Sequence, residues 1–86
     1  MFDWNDLKAF LAVARGGSTL AASKALGVNQ TTVARRIESL ENDLGFKLFE
    51  RGPHGVTLTP DGSRALKEAA VLVKAEAVFN GRIETL

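Results

Sequence analysis

Cysteine is absent from this chain, so no disulfide framework can staple it and no thiolate can hold a metal. Tyrosine is absent too, and tryptophan and histidine occur once each. The single histidine, His54, sits in the turn-like run Gly52-Pro53-His54-Gly55. There it reads as a solvated side chain rather than a metal ligand or catalytic group. No apolar run approaches membrane-spanning length, and the start lacks a basic-then-apolar signal layout. The expectation is a cytoplasmic protein with no membrane partner. Neither sign of charge dominates: eleven Lys and Arg face ten Asp and Glu, a net charge of +1. Nucleic-acid binders often carry a larger basic excess, so any positive surface must come from where charge is placed. The chain has no nucleophile–base pair, no Gly-rich phosphate loop and no metal constellation, so neither an enzyme nor a cofactor is expected. Glu38, Glu41, Asp43 and Glu50 read as surface charges rather than as paired catalytic carboxylates.

What is present is organised around residues 27–45. Asn29 is a good helix N-cap and Gly45 a good stop. Between them Val33, Ile37, Leu40 and Leu44 recur at helical spacing and predict one buried face. Gln30, Thr31, Ala34 and Arg35 lie together on another face that is short in reach, rich in hydrogen-bonding groups and positive. A Gln and an Arg about one turn apart can read base edges in a major groove, and the first helical N–H groups favour a nearby phosphate. The plain alternative is a face that is polar because it meets water. Asn29-Gln30-Thr31 also matches a glycosylation acceptor, but with no secretion signal that match is taken as chance.

Eighty-six residues make one small domain with a modest core, which oligomerisation often supports. A first helix is predicted from Trp4, capped by Asp3 and ended by Gly16-Gly17, with Trp4, Leu7, Phe10, Leu11 and Ala14 on one face. Trp4 is expected in core or dimer packing. Ser18 caps a second, short helix through Leu26, with Leu20, Ala21, Ala25 and Leu26 available for packing. Small residues at Ala21 and Ala22 let two helices cross closely. A short helix, a tight turn containing Gly27 and a third helix match the helix-turn-helix pattern. After Gly45 the period changes. Phe46 to Arg51 and Val56 to Thr59 alternate around the Gly/Pro turn and predict a β-hairpin, a wing behind the third helix. Lys47 and Arg51 flank it, with a pair to Glu50 as their plain alternative. Thr59 then caps a long helix opened by Pro60. Run to the end of the chain, it would be about 40 Å long.

In this order and spacing the chain resembles the N-terminal DNA-binding domain of LysR-type transcriptional regulators. The resemblance is carried by Leu7, Phe10 to Ala14, Gly17-Ser18, Ala22, Leu26, Gln30, Val33, Arg35 and Ile37. It continues through Leu40-Glu41, Leu44-Gly45, Leu48 to Arg51, Leu58-Thr59 and Gly62. It implies a mainly α fold with a small β-hairpin: a winged helix-turn-helix at residues 1–59 and a linker or dimerisation helix at 60–86. A separate effector-binding domain, not within these residues, would answer to a small molecule. The resemblance implies DNA base contacts at Gln30, Thr31, Ala34 and Arg35. Backbone contacts would fall to Ser18, Asn29, Thr32, Arg36, Arg51 and His54. Arg36 sits on the flank of the helix, as ready to pair with a Glu as to reach a phosphate.

Some positions depart from the family pattern. The family often has Ser-Gln-Pro where this chain has Asn29-Gln30-Thr31, and Ser where it has Ala34, which removes a hydroxyl. The aromatic common after Gly-Ser is Thr19, with Leu20 expected to supply the apolar contact. His54 and Gly55 stand where a wing Arg or Lys is frequent, so little sequence readout is expected from the wing.

The last helix carries two apolar stripes when projected at about 100° per residue. Leu66, Ala69, Ala70, Val73 and Ala77 can dock on the body. Ala65, Leu72, Ala75, Phe79, Ile83 and Leu86 form a second stripe that continues past it. Leu72, Ala75, Phe79, Ile83 and Leu86 are therefore the expected homodimer interface, with Arg64, Lys67, Lys74 and Arg82 on the solvated side. The expected partner is double-stranded DNA with dyad-related half-sites, read in the service of transcription control. A winged helix used only for protein–protein assembly, and a general binder of any duplex, are the readings this one competes with.

Overall fold

A computed structural model describes residues 3–79. Four helices and one hairpin follow each other in the order α1 (Trp4–Gly16), α2 (Thr19–Leu26), α3 (Gln30–Leu44), β1 (Phe49–Gly52), β2 (Gly55–Leu58) and α4 (Pro60–Ala77). Each helix begins at the cap its sequence supplies. Asp3 accepts from the Asn5 N–H at 2.7 Å, Ser18 from Ala21 at 3.0 Å, Asn29 from Thr32 at 2.8 Å and Thr59 from Gly62 at 2.8 Å. Each bond satisfies a first-turn donor that has no partner inside the helix. The α2–α3 turn passes through Gly27 at φ 70°, and α3 stops at Gly45 at φ 84°. In this left-handed region a side chain on the α carbon is strained.

The core lies where α1 meets α3. Leu7, Phe10, Leu11 and Val13 from α1 are buried with Val33, Ile37 and Leu40 from α3, joined by Ala22, Leu48 and Ala69. Leu44, Trp4 and Ala14 are half-buried. Phe10 and Phe49 pack edge to face, their ring centres 5.5 Å apart, which seats the hairpin on the helical body. A Cβ added to Gly16 would stand 2.7 Å from the Ala21 Cβ, so the junction of α1 and α2 depends on small residues at both places.

Three expectations change. In α2 the buried residues are Ala22 and Ser23, while Ala25 is exposed and Leu20 is 48% exposed. The helix crosses its neighbours on the narrow Ala22-Ser23 edge, and the buried Ser23 hydroxyl donates within the helix to the Leu20 carbonyl at 2.7 Å. Leu20 therefore does not fill the place of an aromatic. The first wing strand starts at Phe49, not Phe46. The Leu48 N–H donates to Glu41 at 2.7 Å, the Leu48 carbonyl accepts from the Thr59 N–H at 3.0 Å, and the Lys47 carbonyl accepts from the Thr59 hydroxyl at 2.6 Å. The backbone of residues 47 and 48 is thus occupied by α3 and by the cap of α4. Glu41 is consequently no surface charge: its side chain is 11% exposed, and it lies 3.7 Å from the Lys47 ammonium, taking the pairing expected of Glu50.

The hairpin pairs Phe49 with Leu58 through Gly52 with Gly55, leaving Pro53-His54 as a two-residue turn. Helix α4 then folds back along α1. Ala69 is buried, Leu66, Ala70 and Val73 are half-buried, and the Trp4 indole N–H donates to Glu76 at 3.1 Å. Lys8 approaches the same carboxylate at 4.0 Å. No described helix is long and apolar enough to cross a membrane.

Candidate nucleic-acid interface

Helix α3 turns its apolar residues inward and so presents the start of its other face to solvent. Gln30, Thr31 and Arg35 are exposed, and Ala34 between them is half-buried. The four share an arc of about 140° at 100° per residue. Helix α2 lies behind them, and its first residue reaches forward: the Thr19 hydroxyl donates to Gln30 Oε1 at 3.2 Å. That link was not visible in the sequence, because the α2–α3 turn creates it.

The same arc continues to Glu38, which is exposed and lines the groove between α3 and the wing together with Lys47, Glu50 and Arg51. Only the N-terminal half of the exposed face is free of negative charge. The first half of the face thus offers Arg35 and no carboxylate, whereas the next turn sets Glu38 and Glu50 in one groove with Lys47 and Arg51. The α3 N-terminus adds N–H groups not used inside the helix.

The backbone-contact candidates are spread more widely. Ser18 is half-buried and Asn29 exposed; each uses its side-chain oxygen as a cap, which leaves the Ser18 hydroxyl proton and the Asn29 amide N–H groups as donors the caps do not use. Thr32 and Arg36 are half-buried and lie across the helix from the Gln30–Ala34 face. Arg51 is exposed on β1, opposite Val56, and His54 is exposed at the wing tip. Among the described residues, no group of three His, Cys, Asp or Glu side chains is placed to hold a metal ion.

On α4, Leu72, Ala75 and Phe79 are all exposed, Phe79 by 72%. The other two residues of the expected interface, Ile83 and Leu86, lie outside the described residues. Ala65, from the same stripe, packs half-buried against the core. Val71 and Val78, absent from both predicted stripes, are exposed as well, Val71 by 64%. Val71, Leu72, Ala75, Val78 and Phe79 together span a continuous arc of about 120°.

Comparison with known proteins matches this geometry. Residues 4–63 match the model of the bacterial regulatory helix-turn-helix protein, lysR family. The uncharacterized HTH-type transcriptional regulator YbhD of Escherichia coli (strain K12) is 42% identical over 80 residues, which cover 91% of this chain and 25% of that protein. The chain thus spans about a quarter of that relative's length. Among solved structures, CbnR, a LysR family transcriptional regulator, superposes with a TM-score of 0.89 at 35% identity, over 96% of this chain and 29% of that one. The CbnR DBD–DNA complex superposes with a TM-score of 0.87 at 34% identity, covering 98% of this chain and 97% of that one. The winged helix-turn-helix described above superposes on theirs, and this chain belongs to the lysR family of bacterial regulatory helix-turn-helix proteins.

Proposed function

We propose that this chain is the DNA-binding domain of a transcription regulator and reads specific sequences in double-stranded DNA as a dimer. The observation that carries the reading is the exposed Gln30, Thr31 and Arg35 face on the first half of α3, in a fold that superposes on a DNA-bound relative. In this reading residues 1–59 form the reading head and residues 60–86 the dimerisation helix. The N-terminal half of α3 enters the major groove with α2 bracing it. Arg35 pairs with a guanine through O6 and N7, Gln30 meets a neighbouring base, and Thr31 offers a methyl and a hydroxyl. Ala34 allows close approach. Ser18, Asn29, Thr32, Arg36, Arg51 and His54 are the candidates for backbone contacts, which set register without specifying sequence. The exposed apolar arc of α4 supports pairing with the same helix of a second copy, so that two recognition helices meet half-sites related by a dyad. A small-molecule effector would act through a domain other than this one. The activity is binding rather than catalysis, and its setting is the bacterial cytoplasm.

Arg35→Ala tests the reading. It is expected to weaken binding to a selected duplex by about 1–3 kcal/mol and to relax preference at one base pair. Affinity for cognate and random duplexes is measured by gel shift over a range of salt. Equal losses on both would make Arg35 a phosphate contact, and failure of the parent to bind any duplex at low salt would favour protein–protein assembly.

A further inference from the structure

The reading face of α3 does not end at Arg35. At 100° per residue Gln30 opens the arc, Ala34 stands at about 40°, Thr31 at about 100° and Arg35 at about 140°. Glu38 falls at about 80°, in the middle of that arc and one turn further along the helix. It is exposed. Thr31, Ala34, Arg35 and Glu38 stand at i, i+3, i+4 and i+7, the spacing at which the third helix of a homeodomain meets base edges in the major groove. From Gln30 to Glu38 the row is about 12 Å long, roughly three to four base-pair steps of about 3.4 Å. Glu38 is the one member of this row with negative charge. Among the described residues its carboxylate makes no ion pair: Lys47, in the same groove, pairs with Glu41 instead, and neither Arg35 nor Arg51 closes on Glu38.

An ionised carboxylate only accepts hydrogen bonds. On a face that meets a polyanion it is repelled by the phosphates, and it is left without a partner unless the base opposite donates. In the major groove guanine presents N7 and O6, and thymine O4, all acceptors. Adenine donates through N6 but sets N7 beside it, whereas cytosine presents its amino group alone. We infer that Glu38 is a specificity-determining residue of α3 that accepts a hydrogen bond from the cytosine amino group and turns away bases whose edges accept. Arg35, which only donates, and Glu38, which only accepts, then read bases of opposite character from one helix face. This rests on the proposed function, since it concerns which bases α3 reads rather than whether the domain binds DNA.

The test compares the parent with Glu38→Ala and Glu38→Gln, with Arg35→Ala alongside. Selection from a random pool gives the parent's site. Each protein is then titrated against the four versions of every base pair in that site and against random duplex. At one pair the parent should prefer cytosine to guanine, and Glu38→Ala should lower that preference by about five- to tenfold, the lower range for a base contact. Glu38→Gln should move the preference toward adenine, because an amide can bond N6 and N7 together. Both variants should bind random duplex about two- to threefold more tightly, since a charge repelled by phosphates is gone. An unchanged preference at every pair in Glu38→Ala, or an equal loss on all duplexes in both variants, would overturn the assignment; the second result would make Glu38 a support for Lys47 and Arg51. In either case a base preference lost in Arg35→Ala would leave DNA reading by α3 intact. A parent that selects no site would bring down both readings together.

Discussion

Replacing Gly62 by alanine adds one methyl group at the corner where the wing meets α4. On helix propensity alone the change should help, by about 1 kcal/mol. The surroundings reverse that. The new Cβ would fall far inside contact distance of the Leu48 carbonyl oxygen, 3.0 Å from the Leu48 carbonyl carbon and 3.1 Å from Thr59 Oγ1. None of these atoms can step aside cheaply. The Leu48 carbonyl already accepts from the Thr59 N–H at 3.0 Å, the Leu48 side chain is fully buried, and the Thr59 hydroxyl bridges the Gly62 N–H and the Lys47 carbonyl. Relief requires moving backbone against backbone. Overpacking costs about 1–3 kcal/mol and sometimes more; taken at its upper end and offset by the propensity gain, the net loss is about 2 kcal/mol. For a domain of this size that lowers Tm by about 8–16 °C. Thermal unfolding followed by circular dichroism measures it, at matched protein concentration because self-association shifts Tm. Gly52→Ala is the control, since a Cβ there meets only the Gly55 carbonyl oxygen, at 3.8 Å; its effect should stay within about 0.5 kcal/mol. A Gly62→Ala protein that melts at or above the parent would refute the reasoning.

Glu41→Ala should cost about 1–3 kcal/mol in urea unfolding, because it leaves the Leu48 N–H without its acceptor; Glu41→Gln, which keeps an oxygen in place, should recover part of the loss, and equal behaviour of the two would point to the Lys47 ion pair instead. His54→Ala, which removes at most one minor backbone contact at an exposed wing tip, should barely alter duplex binding at pH 7.5; a tenfold loss in gel shift would make the tip a principal DNA contact. Leu72→Glu with Phe79→Glu should turn a dimer into a monomer at micromolar concentration in sedimentation velocity, since both side chains belong to the exposed arc of α4. A parent already monomeric there, or a variant as dimeric as the parent, would remove α4 from the interface.

Features that act over short distances were legible in the residues themselves. A cap such as Asn29 or Thr59 reaches an N–H three positions on, so its meaning is contained in a few letters. The buried stripe of α3 was equally open to periodicity, with Val33, Ile37 and Leu40 buried as spaced. Contacts that exist only after the chain doubles back were not. Glu41 looks like any helix carboxylate until the turn at Gly45 brings the Leu48 N–H beneath it. Alternation across Phe46 to Leu48 resembles a strand, yet pairing depends on what lies opposite, and opposite these residues stand a carboxylate and a cap. Thr19 carried no signal for Gln30, since the helix crossing alone joins them. Gln30, Thr31 and Arg35 were legible as an exposed group because the stripe that buries α3 also defines its outer side.

Helix α4 is gripped near both ends: Thr59 ties its start to the Lys47 carbonyl, while Trp4 and Lys8 hold Glu76. A beam held at two points cannot pivot at either one. In a dimer built on this helix, each reading head would be fixed in pitch and azimuth like a tooth on a gear. Adding a base pair between half-sites turns one of them by about 35° around the duplex. The gripped helix cannot follow that turn, so the twist falls on the DNA or on the chain beyond Glu76. In such a dimer the clamp would work as a gauge, and operators with the right bases at the wrong spacing would be passed over.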